Sequence, residues 1–189
     1  MPQAQAVHLT HADYVELPDD GRRYEIIRGK LYVSPSPFSV HQIVLATLYD
    51  IVKRFVRDRS LGKVLFAPLD VILADDSVVQ PDLIFISGAR SPAIVGRWIH
   101  GAPDLVVEVL SKSTSRKDRL VKRQLYADYG VKEYWLVDMD AMSVTILGLR
   151  RRQRAYATLA SGTGDRPLAS RVLQGLELRP SDVFADLED

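Results

Sequence analysis

The sequence predicts a mixed α/β (α+β) fold around one central sheet. The runs 82–86 and 104–110 are apolar at nearly every position, as expected of strands covered on both faces. Between the strand signals lie a segment with apolar residues at helical spacing, 39–59, and a capped helical segment that runs to Tyr129. Strands, a helix and more strands in that order imply helices packed on a shared sheet.

The elements follow in chain order. Thr10 can cap a short helix over 11–17, which Pro18 and the turn Asp19-Asp20-Gly21 end. Strands over 24–27 and 30–33 flank Arg28-Gly29 as a hairpin. Ser34-Pro35-Ser36-Pro37 is a rigid break. Ser39 opens a helix to about Arg59, and Val44, Leu48, Ile51, Val52 and Phe55 give it one buried face. Segments 63–66, 70–73 and 82–86 read as consecutive strands, and 87–101 as a loop with room for one helical turn. The strand over 104–110 is the strongest. Ser113 or Thr114 can cap the next helix, and Gly130 suits the left-handed position that ends it. Strands over 133–138 and 143–149 form a last pair, and the tail after Arg150 has weaker signals. The chain reads as one domain over 1–189, with a core at 10–149 and an extension at 150–189.

Bulk properties narrow the function. At 189 residues, 47% hydrophobic and 26% charged, the chain can bury a sizeable core. A formal charge of +1 gives no global bias toward nucleic acid, so any such contact must come from local patches. The chain has no cysteine, which excludes disulfides and thiolate metal sites and fits a reducing cytoplasm. The first residues lack the basic start and apolar stretch of a signal peptide, and no apolar run approaches a membrane span of roughly 20 residues.

Asp82 and Glu108 each sit inside an apolar run, where a carboxylate must be neutralised, hydrogen-bonded or bound to a cation. Adjacent strands lie only about 4.8 Å apart, so these two can share an ion. Asp104 and Glu108 are four residues apart on one strand, roughly 13 Å, which is too far. Asp104 is read as a strand-leading or turn residue. The pair points to a divalent metal site for phosphodiester hydrolysis, because Mg²⁺ or Mn²⁺ takes hard oxygen ligands and polarises phosphoryl groups.

Further residues complete a family pattern. Tyr24-Glu25-Ile26-Ile27-Arg28-Gly29, His41, Gln80-Pro81-Asp82-Leu83, the block 101–111, Asp118, Lys122, Tyr126 and the block 130–138 fall in the order of the Uma2 family. The chain resembles that family over about 10–149. The family is grouped with PD-(D/E)XK nucleases, so the resemblance implies a restriction-endonuclease-like fold, a central mixed β-sheet flanked by helices. It also implies that Asp82 and Glu108 are metal ligands and that Glu25 is an additional acidic site residue. The superfamily pattern expects Lys two residues after the second acid, where this chain has Leu110. Lys122 on the following helix is the matching candidate and Lys112 its competitor.

Each residue also has a plainer reading. Asp82 and Glu108 could accept backbone donors or pair with a buried Arg. Glu25 could pair with Arg23 or Lys30 on the hairpin. His41, in the first turn of a helix, could be a surface residue or could touch phosphate or water. Lys122 and Asp118 could form an ordinary i, i+4 ion pair. Arg116, Lys117, Arg119 and Arg123, like Arg150-Arg151-Arg152 and Arg154, could be a solvated face or could contact nucleic-acid phosphates. Tyr134 and Trp135 read as core aromatics. The expected function is an Mg²⁺- or Mn²⁺-dependent DNA endonuclease, for which a homodimer would match the two strands of a duplex. The alternatives are an inactive nuclease-fold module that binds nucleic acid or protein, and a hydrolase of RNA or another phosphoester.

Overall fold

The computed structural model describes residues 7–111 and 114–187. The chain begins with helix α1 (His11–Val15), where Asp13 Oδ2 accepts from the Thr10 amide and hydroxyl, both at 2.8 Å. Strands β1 (Arg23–Ile27) and β2 (Lys30–Ser34) form the expected hairpin. Its two turn residues, Arg28 and Gly29, both have positive φ (52° and 74°), which matches the twist of the flanking strands.

Helix α2 (Ser39–Asp58) leads to β3 (Gly62–Phe66), β4 (Val71–Ala74), β5 (Ser77–Val79) and β6 (Leu83–Ser87). A short helix α3 (Ser91–Ile94), a short strand β7 (Ile99–His100) and the long strand β8 (Leu105–Leu110) follow. A π-helical stretch, Lys117–Lys122, runs directly into α4 (Arg123–Asp128), and Gly130 with φ of 83° turns the chain out of it. The chain closes with β9 (Glu133–Asp138), β10 (Ser143–Arg150), β11 (Ala155–Thr163), β12 (Leu168–Ala169), β13 (Glu177–Leu178) and α5 (Pro180–Phe184).

The class is mixed α and β as expected, but the strands divide into more than the one sheet the sequence suggested. A six-stranded sheet runs β11-β10-β9-β8-β6-β3, and a five-stranded sheet runs β2-β1-β5-β4-β7. Strands β8 and β9 are parallel while the other pairs in the larger sheet are antiparallel. The segments 63–66, 70–73 and 82–86 are consecutive along the chain but not neighbours in space. Strand β3 pairs with β6, while β4 turns back through β5 and joins the hairpin sheet. The three-residue β5 is too short to give a periodic signal.

Alternation along the central strands separates two cores. Leu83, Phe85, Leu105, Val107, Trp135 and Val137 face α2, meeting Val44, Leu48 and Val52. The intervening residues Ile84, Ile86, Val106, Leu110, Tyr134 and Leu136 face the smaller sheet and α4. Strands apolar at every position are thus buried twice over, which is the pattern seen in the sequence. Tyr134 and Trp135 are fully buried core aromatics.

The segment after Arg150 is bound to the body through β11, which pairs along β10, and through Glu133. Buried Glu133 accepts from Trp135 Nε1 at 3.0 Å, Ser170 Oγ at 2.7 Å and the Val172 amide at 3.0 Å, and also from the Arg171 amide. Polar anchoring of this kind has no periodicity, so the tail reads weakly in sequence.

Candidate active site

The site lies on the face of β6 and β8 that looks toward the smaller sheet. Asp82 immediately precedes β6, and Glu108 lies within β8. Leu83 is opposite Val107, so continuing the antiparallel register by one residue sets Asp82 opposite Glu108. Both carboxylates share the parity of Ile84 and Val106, which fixes them on one face.

Asp82 is 2% exposed. Its Oδ1 accepts from Arg23 Nη1 at 2.8 Å, and its Oδ2 accepts from the Val109 amide at 2.9 Å and meets His41 Nε2 at 3.1 Å. Burial alone would raise its pKa, but His41 and Arg23 outweigh burial and bring the carboxyl down to about 2. Arg23 is two residues before Glu25, and His41 reaches Asp82 from the first turns of α2.

Glu108 behaves in the opposite way. Its Oε1 accepts from Lys122 Nζ and from Tyr126 Oη, each at 2.8 Å. Burial pushes its pKa up to about 8, Asp118, Asp82 and Glu25 add to the rise, and Lys122 opposes it. Burial also raises Asp118.

Glu25 arrives from the smaller sheet on β1. Its Oε1 lies 2.7 Å from Lys122 Nζ and accepts from the Gln80 amide at 3.0 Å, while its Oε2 accepts from Lys117 Nζ at 2.7 Å. Lys117 also donates to Ser34 Oγ at 3.1 Å. Burial opposes ionisation of Glu25, but the two ammonium groups prevail and lower its pKa. Lys122 is surrounded by Glu25, Glu108 and Asp118, the last at 3.7 Å. Burial disfavours its charge, yet the three carboxylates hold its pKa well above the usual lysine range.

The π-helical winding explains how two lysines five residues apart reach one carboxylate. At 3.6 residues per turn, residues i and i+5 of an α-helix lie about 140° apart around the axis. A π turn winds more widely, closes bonds between i and i+5, and so brings the two onto one face. Lys117 and Lys122 are the first and last residues of that stretch.

The cluster unites Glu25, Asp82, Glu108, Lys122, Asp118 and His41, all singled out in the sequence. Lys117, read there as part of a charge run, also belongs to it. Arg116, Arg119 and Arg123 do not: Arg116 is exposed, Arg119 pairs with Asp138 at 2.5 Å, and Arg123 donates to the Tyr156 carbonyl at 3.2 Å. Asp104 lies elsewhere, bound by Lys132 at 2.6 Å, Arg90 at 3.0 Å and the Ser87 amide at 2.9 Å. Lys112 lies outside the described residues. Arg23 and Ser34 carry no site signal in the sequence alone, and Tyr126 stands there as a position of the family pattern without a role. Strand alternation could have flagged Arg23, which shares the face of Glu25.

Around these groups is a cleft of about 70 Å³. Among the described residues, no three His, Asp or Glu side chains stand ready to ligate one ion. The chain's own cations and amides occupy the oxygens instead. The donor chemistry nevertheless suits a hard divalent ion, since four carboxylates (Glu25, Asp82, Glu108, Asp118) face three permanent cations (Arg23, Lys117, Lys122). Two buried atoms here, Asp118 Oδ1 and His41 Nδ1, have no hydrogen-bond partner among the described residues.

Comparisons with known proteins bear on the family and the fold. The family model Uma2, described as "Putative restriction endonuclease", matches residues 11–181. The fold is similar to a crystal structure described as "a putative nuclease belonging to DUF820" from Anabaena variabilis ATCC 29413. The two share 19% sequence identity with a TM-score of 0.79, over 94% of this chain and 98% of that one. A comparison with curated proteins found no match. Among the described residues, no helix is long and apolar enough to cross a membrane.

Proposed function

The chain belongs to the Uma2 family, and from that premise we propose that it is a divalent-metal-dependent endonuclease that hydrolyses phosphodiester bonds in DNA. The observation that carries the reading is Asp82 facing Glu108 inside a buried cluster of four acidic side chains and three permanent cations. Asp82 and Glu108 are the residues that would hold Mg²⁺ or Mn²⁺, with Glu25 assisting directly or through water. Bound there, such an ion would supply Lewis acidity toward the phosphoryl group and toward a water.

The chain's own residues set the rest. Lys122 stays charged, so its part is to orient the attacking water and to stabilise charge developing on the phosphate, not to remove a proton as a base. Arg23 and His41 fix the Asp82 carboxylate in orientation and in its ionised state. The Tyr126 hydroxyl is held protonated by burial and by Glu108, and so remains a donor that fixes Oε1 of Glu108.

A second reading has its own observation. Lys122 Nζ bridges Glu25 and Glu108 at 2.7 and 2.8 Å, which supports a module that binds nucleic acid or protein without hydrolysis. Supercoiled plasmid at low salt separates the two. Wild type is expected to nick or linearise it with Mg²⁺ or Mn²⁺ and to stop in chelator, while Glu108→Gln stays inactive. Folded wild-type protein that leaves both the plasmid and single-stranded DNA intact with both ions would overturn the DNA endonuclease reading and favour the binding module.

A further inference from the structure

We propose that the cleft takes an unpaired stretch of DNA, stacking one base on Phe38 while the phosphate beside it enters the charged floor. The inference deepens the nuclease reading and rests on it.

The cleft is apolar at its mouth and charged at its base. Pro35, Pro37, Phe38 and Met139 line it together with Arg23 and Lys117. Phe38 is 82% exposed, the most exposed aromatic ring among the large hydrophobics of the described surface. The adjacent helix holds it in place: Phe38 is the residue that leads into α2, its carbonyl accepts from the Gln42 amide at 3.3 Å, and three residues later His41 touches Asp82. Phe38 contributes little to core packing, and its exposed face at the mouth of a charged cleft is open to a stacking ligand.

Access to the floor limits what that occupant can be. Asp82 and Glu108 are only 2% and 3% exposed, beneath a cleft of about 70 Å³. A rigid duplex presents its backbone on a broad cylinder, with base faces covered by neighbouring bases. It can neither lower a phosphodiester to such a depth nor offer a face to Phe38. An unpaired segment does both, since its bases are free to stack on an aromatic ring and its narrow backbone can follow a charged groove. Lys117 suits the phosphate better than Lys122 does. Its side chain is 13% exposed against 3%, and among the described residues one carboxyl group pairs with it against three with Lys122.

The test is binding of the full chain to a fluorescein-labelled 12-nucleotide single strand and to the same sequence as a duplex. Fluorescence anisotropy is read at low salt with Ca²⁺ and again in chelator. The single strand is expected to bind at least ten-fold more tightly than the duplex. Phe38→Ala, at an exposed position, should weaken single-strand binding by about 5- to 150-fold, the span of one base stacked on an aromatic side chain. Phe38→Trp should restore it, and duplex binding should be unchanged in both variants. 2-Aminopurine placed along the strand adds a stacking readout: its emission should change on binding wild type and not on binding Phe38→Ala. Equal affinity for strand and duplex, or Phe38→Ala binding the single strand like wild type, overturns this proposal and leaves the nuclease reading standing. No binding of either DNA by folded protein overturns both.

Discussion

Glu108→Gln is expected to make the protein more stable as pH rises, at the expense of function. The carboxyl of Glu108 has an ordinary value of 4.5 and is pushed up to about 8 in the folded chain, chiefly by burial. The folded state therefore holds a proton that the unfolded state releases. That stabilisation is complete below pH 4.5 and declines as pH rises, until it is lost by about pH 8. Holding one proton across one pH unit is worth about 1.4 kcal/mol, so the full decline is on the order of 5 kcal/mol. Glutamine is the neutral isostere of the protonated acid and keeps an oxygen for Tyr126 and Lys122, so the variant lacks this decline. Urea unfolding at a series of pH values from 4.5 to 9 measures it. With a slope of about 2 kcal/mol per molar urea, the midpoint of Glu108→Gln should gain about 2 M on wild type across that range. Parallel stability curves for the two proteins would refute the reasoning, because Glu108 would then titrate alike folded and unfolded.

Other perturbations act on neighbouring groups. Lys122→Met strips the shared ammonium from the buried acidic groups Glu25, Glu108 and Asp118 and should cost about 3–5 kcal/mol at pH 7; adding Glu25→Gln should recover part of it in the same urea assay. Millimolar Mn²⁺ should raise the melting temperature of wild type, by about 2.7 kcal/mol of stabilisation at a hundred times the dissociation constant, and should leave Asp82→Asn unmoved. Glu133→Ala orphans the donors of Trp135, Ser170 and Val172 at roughly 1–3 kcal/mol each, and limited proteolysis should then cut within 169–173 faster than in wild type.

The acidic pair was legible because an ionisable residue stands out inside a doubly buried strand. Asp82 and Glu108 needed only the apolar runs around them. Glu25 was ambiguous, since its partners come from a helix ninety residues away and the hairpin offered nearer ones. Lys117 looked like one of several solvated cations because helical spacing assumes regular winding. Nothing local in 117–122 announces a π turn. The placement of Arg23 and His41 on Asp82 depends on how the two sheets and α2 converge, a tertiary fact. The fold class followed from periodicity, but its division into two large sheets and the small β12-β13 pair did not, because β5 and β7 are three and two residues long and their pairing is set by packing.

The π turn has one further consequence, for length variation. It holds one residue more than a regular helix would need. Deleting exposed Leu120 would bring Lys117 and Lys122 to four residues apart and Asp118 and Lys122 to three. Both spacings keep side chains together on an ordinary helix, so Lys117 would still reach Glu25, and Lys122 would still reach Glu25, Glu108 and Asp118. The same deletion made within α4 has no slack to absorb it. Each residue beyond the cut would swing by about 100° about the axis, turning Leu125 or Tyr126 out of the core. Two neighbouring segments of one helix should thus differ sharply in the gaps they tolerate, and a lysine freed from fixed strand spacing can drift along the sequence while its ammonium stays in place.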